Sequence, residues 1–422
     1  MGKAASAETK QRRGRPPVRR PAQHAALLEA AADQINLGGA ASISLADLGA
    51  RIGVTRSAMY YYCADAADLV FQCYVRACER LQDDIKTAAT SAGRADDRLA
   101  LLMRTVLSPE RPAMAVLNDL AFLPDAMQAD IAKRTEAHAK ALAAIISEGR
   151  RSGALRAINV EWAARLILNC LSWTLVSKPW LSRRDDPRAQ RHFAETVVAL
   201  MLDGLALHSE HRPQCELRFE ALMSRTINAF DRKQTAELKA DQIIAAASRL
   251  FNAKGLDGVR LDDVSAAIGA SKGAVYHHFR DKTDLIERCY VRGFDVYDMI
   301  MATGVATGAT PLERSTIVIH LNAQAQMSAT PPLALQPGLS QLAPARRGAL
   351  TRRAVALNVI GAKNLTEGIG DGSCRKLDPT LTAQIFAGYF LGLPQRMPAG
   401  ADPIVVADFI VDFSAFGLRA RK

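Results

Sequence analysis

In the segment LKADQIIAAASRLFNAKG, apolar residues Ile243, Ile244, Ala247, Leu250 and Phe251 recur at intervals of three and four. This spacing predicts a helix with one buried face, and Gly255 is placed to end it. Leu261, Val264 and Ile268 predict a second, shorter helix, with Gly269 and Ala270 making the turn after it. Ser271 is placed to cap a third helix by accepting from its exposed backbone amides. Within that helix Ala274, Val275 and Phe279 are expected to face inward, and Lys272, Gly273, Tyr276 and His277 to face solvent. A fourth helix is expected to start near Thr283 as its cap, and its free amides would form a phosphate site.

Two short helices joined by a tight turn, the second carrying a solvent-facing basic and aromatic set, make a helix-turn-helix. The chemistry suits DNA. The small Gly273 allows close approach, Lys272 and Lys282 can meet phosphates, and Tyr276 and His277 can touch base edges or sugars. One Lys and two His on a short helix are, alone, an ordinary solvated face; the ordered whole is more specific.

The same pattern occurs twice. GVTRSAMYYYCADAADLVFQCYVR (Gly53 to Arg76) aligns without a gap on GASKGAVYHHFRDKTDLIERCYVR (Gly269 to Arg292), at an offset of 216 residues, and the four residues CYVR are identical. Ser147 to Arg156 resembles Thr366 to Arg375 at an offset of 219. The period far exceeds that of a solenoid, so the repeat is a duplicated domain pair. The expected boundaries are a basic arm over 1–23, a first reading head over 24–76, a first regulatory region over 77–208, a linker over 209–238, a second head over 239–292 and a second regulatory region over 293–422.

Composition agrees with an anionic partner. The 422 residues are 49% hydrophobic, enough to bury large cores, with a net charge of +11 and a pI of about 9.4. Seven cysteines without a CxxC pair fit a reduced, cytosolic chain, and no His stands at ligand spacing beside Cys73 and Cys78, so neither a metal nor a cofactor is expected. No apolar stretch follows the basic N-terminus and no run approaches membrane-spanning length, so secretion and a membrane partner are not expected. The motifs of serine hydrolases, P-loop NTPases, zinc proteases and dinucleotide enzymes are missing, and the chain is read as no enzyme.

The segment from Ile243 to Tyr290 resembles the DNA-binding region of TetR-family transcriptional regulators almost end to end. The resemblance implies an all-α fold of two tandem TetR-like units. Each would have an N-terminal three-helix DNA-binding domain and a larger helical domain that binds a small effector and dimerises through a four-helix bundle. It also implies ligand-released repression in the cytoplasm, at the nucleoid, with a double-stranded operator and a small hydrophobic or acyl-bearing effector as partners. The first copy departs from the pattern: Cys63 stands where Phe279 does and Ala66 where Lys282 does, although Thr55, Arg56, Ser57, Tyr60, Tyr61 and Tyr62 can still meet DNA.

With both heads in one polypeptide, an intramolecular pseudo-dimer is expected. The helices around Glu161 to Ser177 and Arg188 to Leu207 would pack on counterparts near Pro379 to Leu393 and Ile404 to Phe416. Arg56 against Lys272 and Ser57 against Gly273 imply an imperfect palindrome, while pairing of two chains would present four heads. RGRPP, with Arg13 and Arg15, resembles an AT-hook core that enters a narrow minor groove, or serves as a solubilising tail. Met103, Met114, Phe122 and Trp173, with Trp162, Trp180 and Met127, can line an effector cavity, though such residues are more often plain core. The Pro- and Gly-rich ATPPLALQPGLSQLAPARRG is a mobile lid or a passive loop. The rival reading is an architectural protein that holds DNA through its arm with little sequence preference.

Overall fold

The computed structural model describes residues 21–177, 186–208, 215–224, 230–398 and 400–421. In the N-terminal half, α1 (Pro21–Gly38), α2 (Leu45–Arg51) and α3 (Arg56–Met59) precede the long α4 (Ala66–Thr90). Then come α5 (Ala95–Val106), α6 (Asp125–Arg151), α7 (Val160–Val176) and α8 (Pro187–Asp203). After the short α9 (Phe219–Met223), the order recurs as α10 (Arg232–Lys254), α11 (Leu261–Ala267), α12 (Lys272–His278), α13 (Lys282–Thr307) and α14 (Pro311–Met327). The chain finishes with α15 (Pro344–Gly370), α16 (Pro379–Phe386), α17 (Leu393–Arg396) and α18 (Pro403–Phe416). Among the described residues there is no β-strand, only two isolated bridges. The fold is all-α.

The identical CYVR segments do the same work in both halves. Cys73 Sγ lies 3.7 Å from Leu28 O on α1, and Cys289 Sγ lies 3.6 Å from Ile244 O on α10. Tyr74 and Tyr290 are fully buried. Arg76 donates to Ala113 O at 2.7 Å, and Arg292 to Thr330 O at 3.2 Å, so each arginine fastens the long fourth helix to the loop entering the regulatory helices. A second clasp comes from Asn36 and Asn252 near the ends of α1 and α10. Asn36 donates to Met114 O and accepts from Val116 N, both at 2.8 Å. Asn252 donates to Pro332 O and accepts from Ala334 N, both at 2.9 Å. Each head is thus tied to its regulatory region by side-chain hydrogen bonds to the main chain.

One core runs through both halves, from Leu166, Leu171, Leu200 and Met201 to Ile385, Tyr389, Ile410 and Phe413. This is α7 and α8 packed on α16 and α18, the arrangement that the apolar runs predict. Where α7 is continuous, its counterpart α16 stops at Phe386 and passes into a 3-10 turn, Ala387–Tyr389. Gly388 in that turn allows the close approach of Trp173, since a Cβ there would come within 2.8 Å of Trp173 Cβ. Trp173 Nε1 donates to Gln384 O at 2.8 Å, so this tryptophan joins the two halves. Trp162 meets Phe409 edge to face, with centroids 5.3 Å apart.

The chain between the halves is not a free tether throughout. Phe219 on α9 is buried against Val296, Ile300, Ile317 and Leu321. Its backbone N–H donates to Gln324 Oε1 at 2.9 Å, while Gln324 Nε2 donates to Leu217 O at 3.0 Å. Helix α10 begins at Arg232, inside the segment read as linker. The Pro-rich loop is neither a lid nor a loose connection, because Leu333, Leu339 and Leu342 are buried in the second head's core and Gln336 donates to Phe251 O at 3.1 Å. Three local expectations are corrected as well. Ala274 is exposed, because Val275 and Phe279 alone fill the inward face of α12. Asp281, not Thr283, caps α13, accepting from Asp284 N at 2.8 Å. Tyr62 is buried, donating to Gln23 Oε1 at 3.1 Å and stacking on His24.

Candidate nucleic-acid interface

Helix α12 is set by three residues. Ser271 accepts from Ala274 N at 3.3 Å, and Val275 and Phe279 anchor the helix in the core. Gly269, at φ +64°, makes the turn before it, a left-handed conformation that an L side chain resists. Lys272, Gly273, Tyr276 and His277 then lie exposed on one short surface, with Tyr276 54% accessible. A Cβ on Gly273 would meet nothing nearer than Ser271 Oγ at 3.9 Å, so nothing within the protein demands a glycine there. Lys272 Nζ rests 2.5 Å from Asp262 Oδ2, and that hydrogen bond raises its pKa. The pair is exposed and cheap to exchange for a phosphate.

Lys282 differs from expectation. It is half-buried, with Nζ 3.4 Å from Asp257 O, and burial lowers its pKa against the pull of Asp257 and Asp119. It faces the junction between the heads, not a free surface. Arg280, two residues earlier and exposed, is a cation facing outward just before α13, with Asp284 3.9 Å distant. Charge type alone does not tell these two apart; Asp257 and Asp119, which Lys282 faces, do.

In the first head Thr55 accepts from Ala58 N at 3.3 Å, and Met59 is the buried anchor. Arg56, Ser57, Tyr60 and Tyr61 are exposed. Helix α3 has a single turn where α12 has two, and the smaller Cys63 fills the site of Phe279, its Sγ 3.8 Å from Met59 O. Arg13 and Arg15 lie outside the described residues.

The heads meet at a buried carboxyl. Asp119 Oδ2 accepts from Ala40 N at 3.0 Å, and Asp257 Oδ2 from Ala41 N at 3.1 Å. Gly39 and Gly255, which end α1 and α10, both abut Asp119. Asn118 donates to its counterpart Gln336 at 3.4 Å. Burial raises the Asp119 pKa to about 7, with Asp257 adding to the shift and the Ala40 N–H and Lys282 opposing it.

Two of the cavities among the described residues lie below the heads. The one in the C-terminal half, about 170 Å³, lies among Phe294, Tyr297, Leu357 and Phe386, with Trp173 of the other half also on its wall. The one in the N-terminal half, about 540 Å³, includes Met114. Met103 and Phe122 reach neither: Met103 sits in the shared core and Phe122 packs against the first head. Met127 also packs against the first head, and Trp180 lies outside the described residues. Burial pushes the thiols of Cys73, Cys78 and Cys289 up to about 12, which marks them as packing groups and not nucleophiles.

These features define an all-helical protein with two helix-turn-helix segments on a helical body. Residues 243–289 match the family described as bacterial regulatory proteins, tetR family, and residues 92–205 match the Tetracyclin repressor-like C-terminal domain. These two segments are thus similar to the DNA-binding and C-terminal parts of TetR-family regulators. Among curated relatives, the HTH-type transcriptional regulator AcrR of Shigella flexneri is 36% identical over 58 residues, 14% of this chain and 27% of that protein. The icaADBC negative transcriptional regulator IcaR of Staphylococcus aureus (strain Newman) is 36% identical over 61 residues, 14% of this chain and 33% of that one. The chain therefore spans about a third of the length of the curated relatives it matches. Solved structures similar to it include a TetR-family protein from Rhodococcus RHA1 (20% identity, 43% of this chain and 97% of that one, TM-score 0.34). Another is AibR in complex with isovaleryl coenzyme A and operator DNA (21% identity, 42% and 100%, TM-score 0.37).

Proposed function

We propose that the chain is a sequence-specific, DNA-binding transcriptional regulator, a ligand-released repressor whose two unlike heads engage one operator as an intramolecular pseudo-dimer. The observation that carries this reading is the common core of α7, α8, α16 and α18, which holds two differently equipped recognition helices in a fixed relation within one polypeptide. Lys272, Gly273, Tyr276 and His277, with the Ser271 cap, read one half-site; Thr55, Arg56, Ser57, Tyr60 and Tyr61 read the other. The side chains differ, so the half-sites differ. Arg13 and Arg15 add a minor-groove or phosphate contact beside the first head.

Each half then comprises a head and a regulatory region, divided near residues 76 and 292 and joined across 209–238. The effector is a small hydrophobic or acyl-bearing molecule, and the protein acts in the cytoplasm at the nucleoid. Among the described residues no helix is long and apolar enough to cross a membrane.

Selection of duplexes from a random pool at fixed salt tests this function. Enrichment of a defined site supports a regulator. Recovery of no motif, or only AT-rich DNA held by the arm with a steep loss on adding salt, supports the architectural protein instead.

A further inference from the structure

The larger cavity takes one side chain from the opposite half of the molecule, Arg396 of α17. Among the described residues Arg396 has neither a hydrogen bond nor an ion pair to a carboxylate. Burial, with Arg165 nearby, pushes its pKa down to about 10. Arg165 is itself committed to Glu136 at 2.8 Å. The other cations on the wall are also engaged, Arg111 by Asp84 and Arg51 by Asp33. His138 is held neutral by burial, which lowers its pKa. The same cavity wall carries apolar side chains, Met114, Leu171 and Phe193 among them.

A half-buried guanidinium on a cavity wall, without a protein acceptor among the described residues, is free to take an anion placed beside it by a charge-assisted hydrogen bond. The C-terminal half offers a contrast. Its smaller cavity receives Trp173 from the opposite half, and the arginine on its wall, Arg314, is paired with Glu367 at 3.1 Å. The two cavities therefore differ in ligand chemistry.

We propose that the cavity of the N-terminal half binds an amphipathic organic acid, its carboxylate against the Arg396 guanidinium and its apolar body among Met114, Leu171 and Phe193. This rests on the regulator reading and names the class of its effector. Such a ligand bridges the halves, since Arg396 belongs to the C-terminal one, and it touches the first head, because the same cavity reaches Asn36 and Arg51.

Calorimetric titration of the full chain with octanoate and with its uncharged analogue octanamide tests the assignment. Octanoate is expected to bind about tenfold or more tighter, as a charge-assisted contact requires. Arg396→Gln should erase that preference, bringing octanoate to the affinity of octanamide, and Arg396→Lys should keep part of it. Equal wild-type binding of acid and amide, no saturable octanoate binding, or a preference surviving in Arg396→Gln each overturns the proposal. The wild-type comparison decides even if a variant does not fold. Duplex selection with the same preparation separates the two claims, because retained selection without acid preference leaves the regulator standing and removes only this ligand.

Discussion

Gly204 and Gly417 occupy equivalent places after α8 and α18, and their backbones touch. A Cβ on Gly204 would lie 2.5 Å from Gly417 N, and one on Gly417 would lie 2.6 Å from Gly204 N. Both take positive φ, +69° and +61°. Beside them the chain ends are exchanged. Leu155 pairs with Arg419, and Cys374 with Ala206, so each half closes the turn after the other's sixth helix. Arg419 adds ion pairs to Asp96 at 3.0 Å and to Asp203 at 2.5 Å. This reciprocity is what two separate subunits would show about a twofold axis, here made within one chain.

Gly204→Ala and Gly417→Ala should each destabilise the protein by about 2 kcal/mol or more, because a methyl group must displace backbone at a left-handed position. Urea unfolding monitored by tryptophan fluorescence measures this. The two substitutions should be far from additive, since they disrupt one contact.

Removing the clasp should loosen a head without unfolding it. Asn36→Ala leaves the Val116 N–H and the Met114 carbonyl without their partner, at about 1–3 kcal/mol. Amide exchange at Val116 is expected to accelerate, while Ala334, held by Asn252, keeps its protection.

At the second head, Lys272→Ala with Tyr276→Ala should leave stability within about 0.5 kcal/mol, since both side chains are exposed. Affinity for the best duplex should fall tenfold or more. The salt slope should fall by about 1, for the loss of one phosphate contact. Fluorescence anisotropy over a salt series reads both.

Asp119 gives a pH dependence with a definite sign. Its carboxyl holds a proton more tightly in the folded chain than in the unfolded one, chiefly because it is buried. The stability from that proton is complete below the unfolded pKa and is lost as pH rises through about 7. The melting temperature should therefore drop between about pH 4 and pH 7 and level off above that, and Asp119→Asn, which keeps an acceptor for Ala40 N, should flatten that fall.

Much of this was legible in the sequence. The offset of 216 residues pairs Thr55 with Ser271 as caps and Met59 with Val275 as anchors, because caps and buried positions are local patterns. The CYVR identity pointed to a shared role without disclosing it, since the partners of Arg76 and Arg292 lie almost 40 residues away. Lys282 was misread because its direction depends on Asp257 and Asp119, which arrive from elsewhere in the fold. Asn36, Asn252 and Arg396 gave no local signal at all. Their meaning comes from a loop or from the opposite half, and periodicity reports only the face of a helix, not what meets it.

The most direct test is the mass of the complex on the best selected duplex, together with the sequence of its half-sites for wild type and for the Lys272→Ala, Tyr276→Ala variant. One chain per duplex, two unlike half-sites, and loss of selection at only one of them in the variant is the result expected of two tethered heads. Two chains on a symmetric site, with selection in the variant unchanged or lost equally at both half-sites, would contradict it.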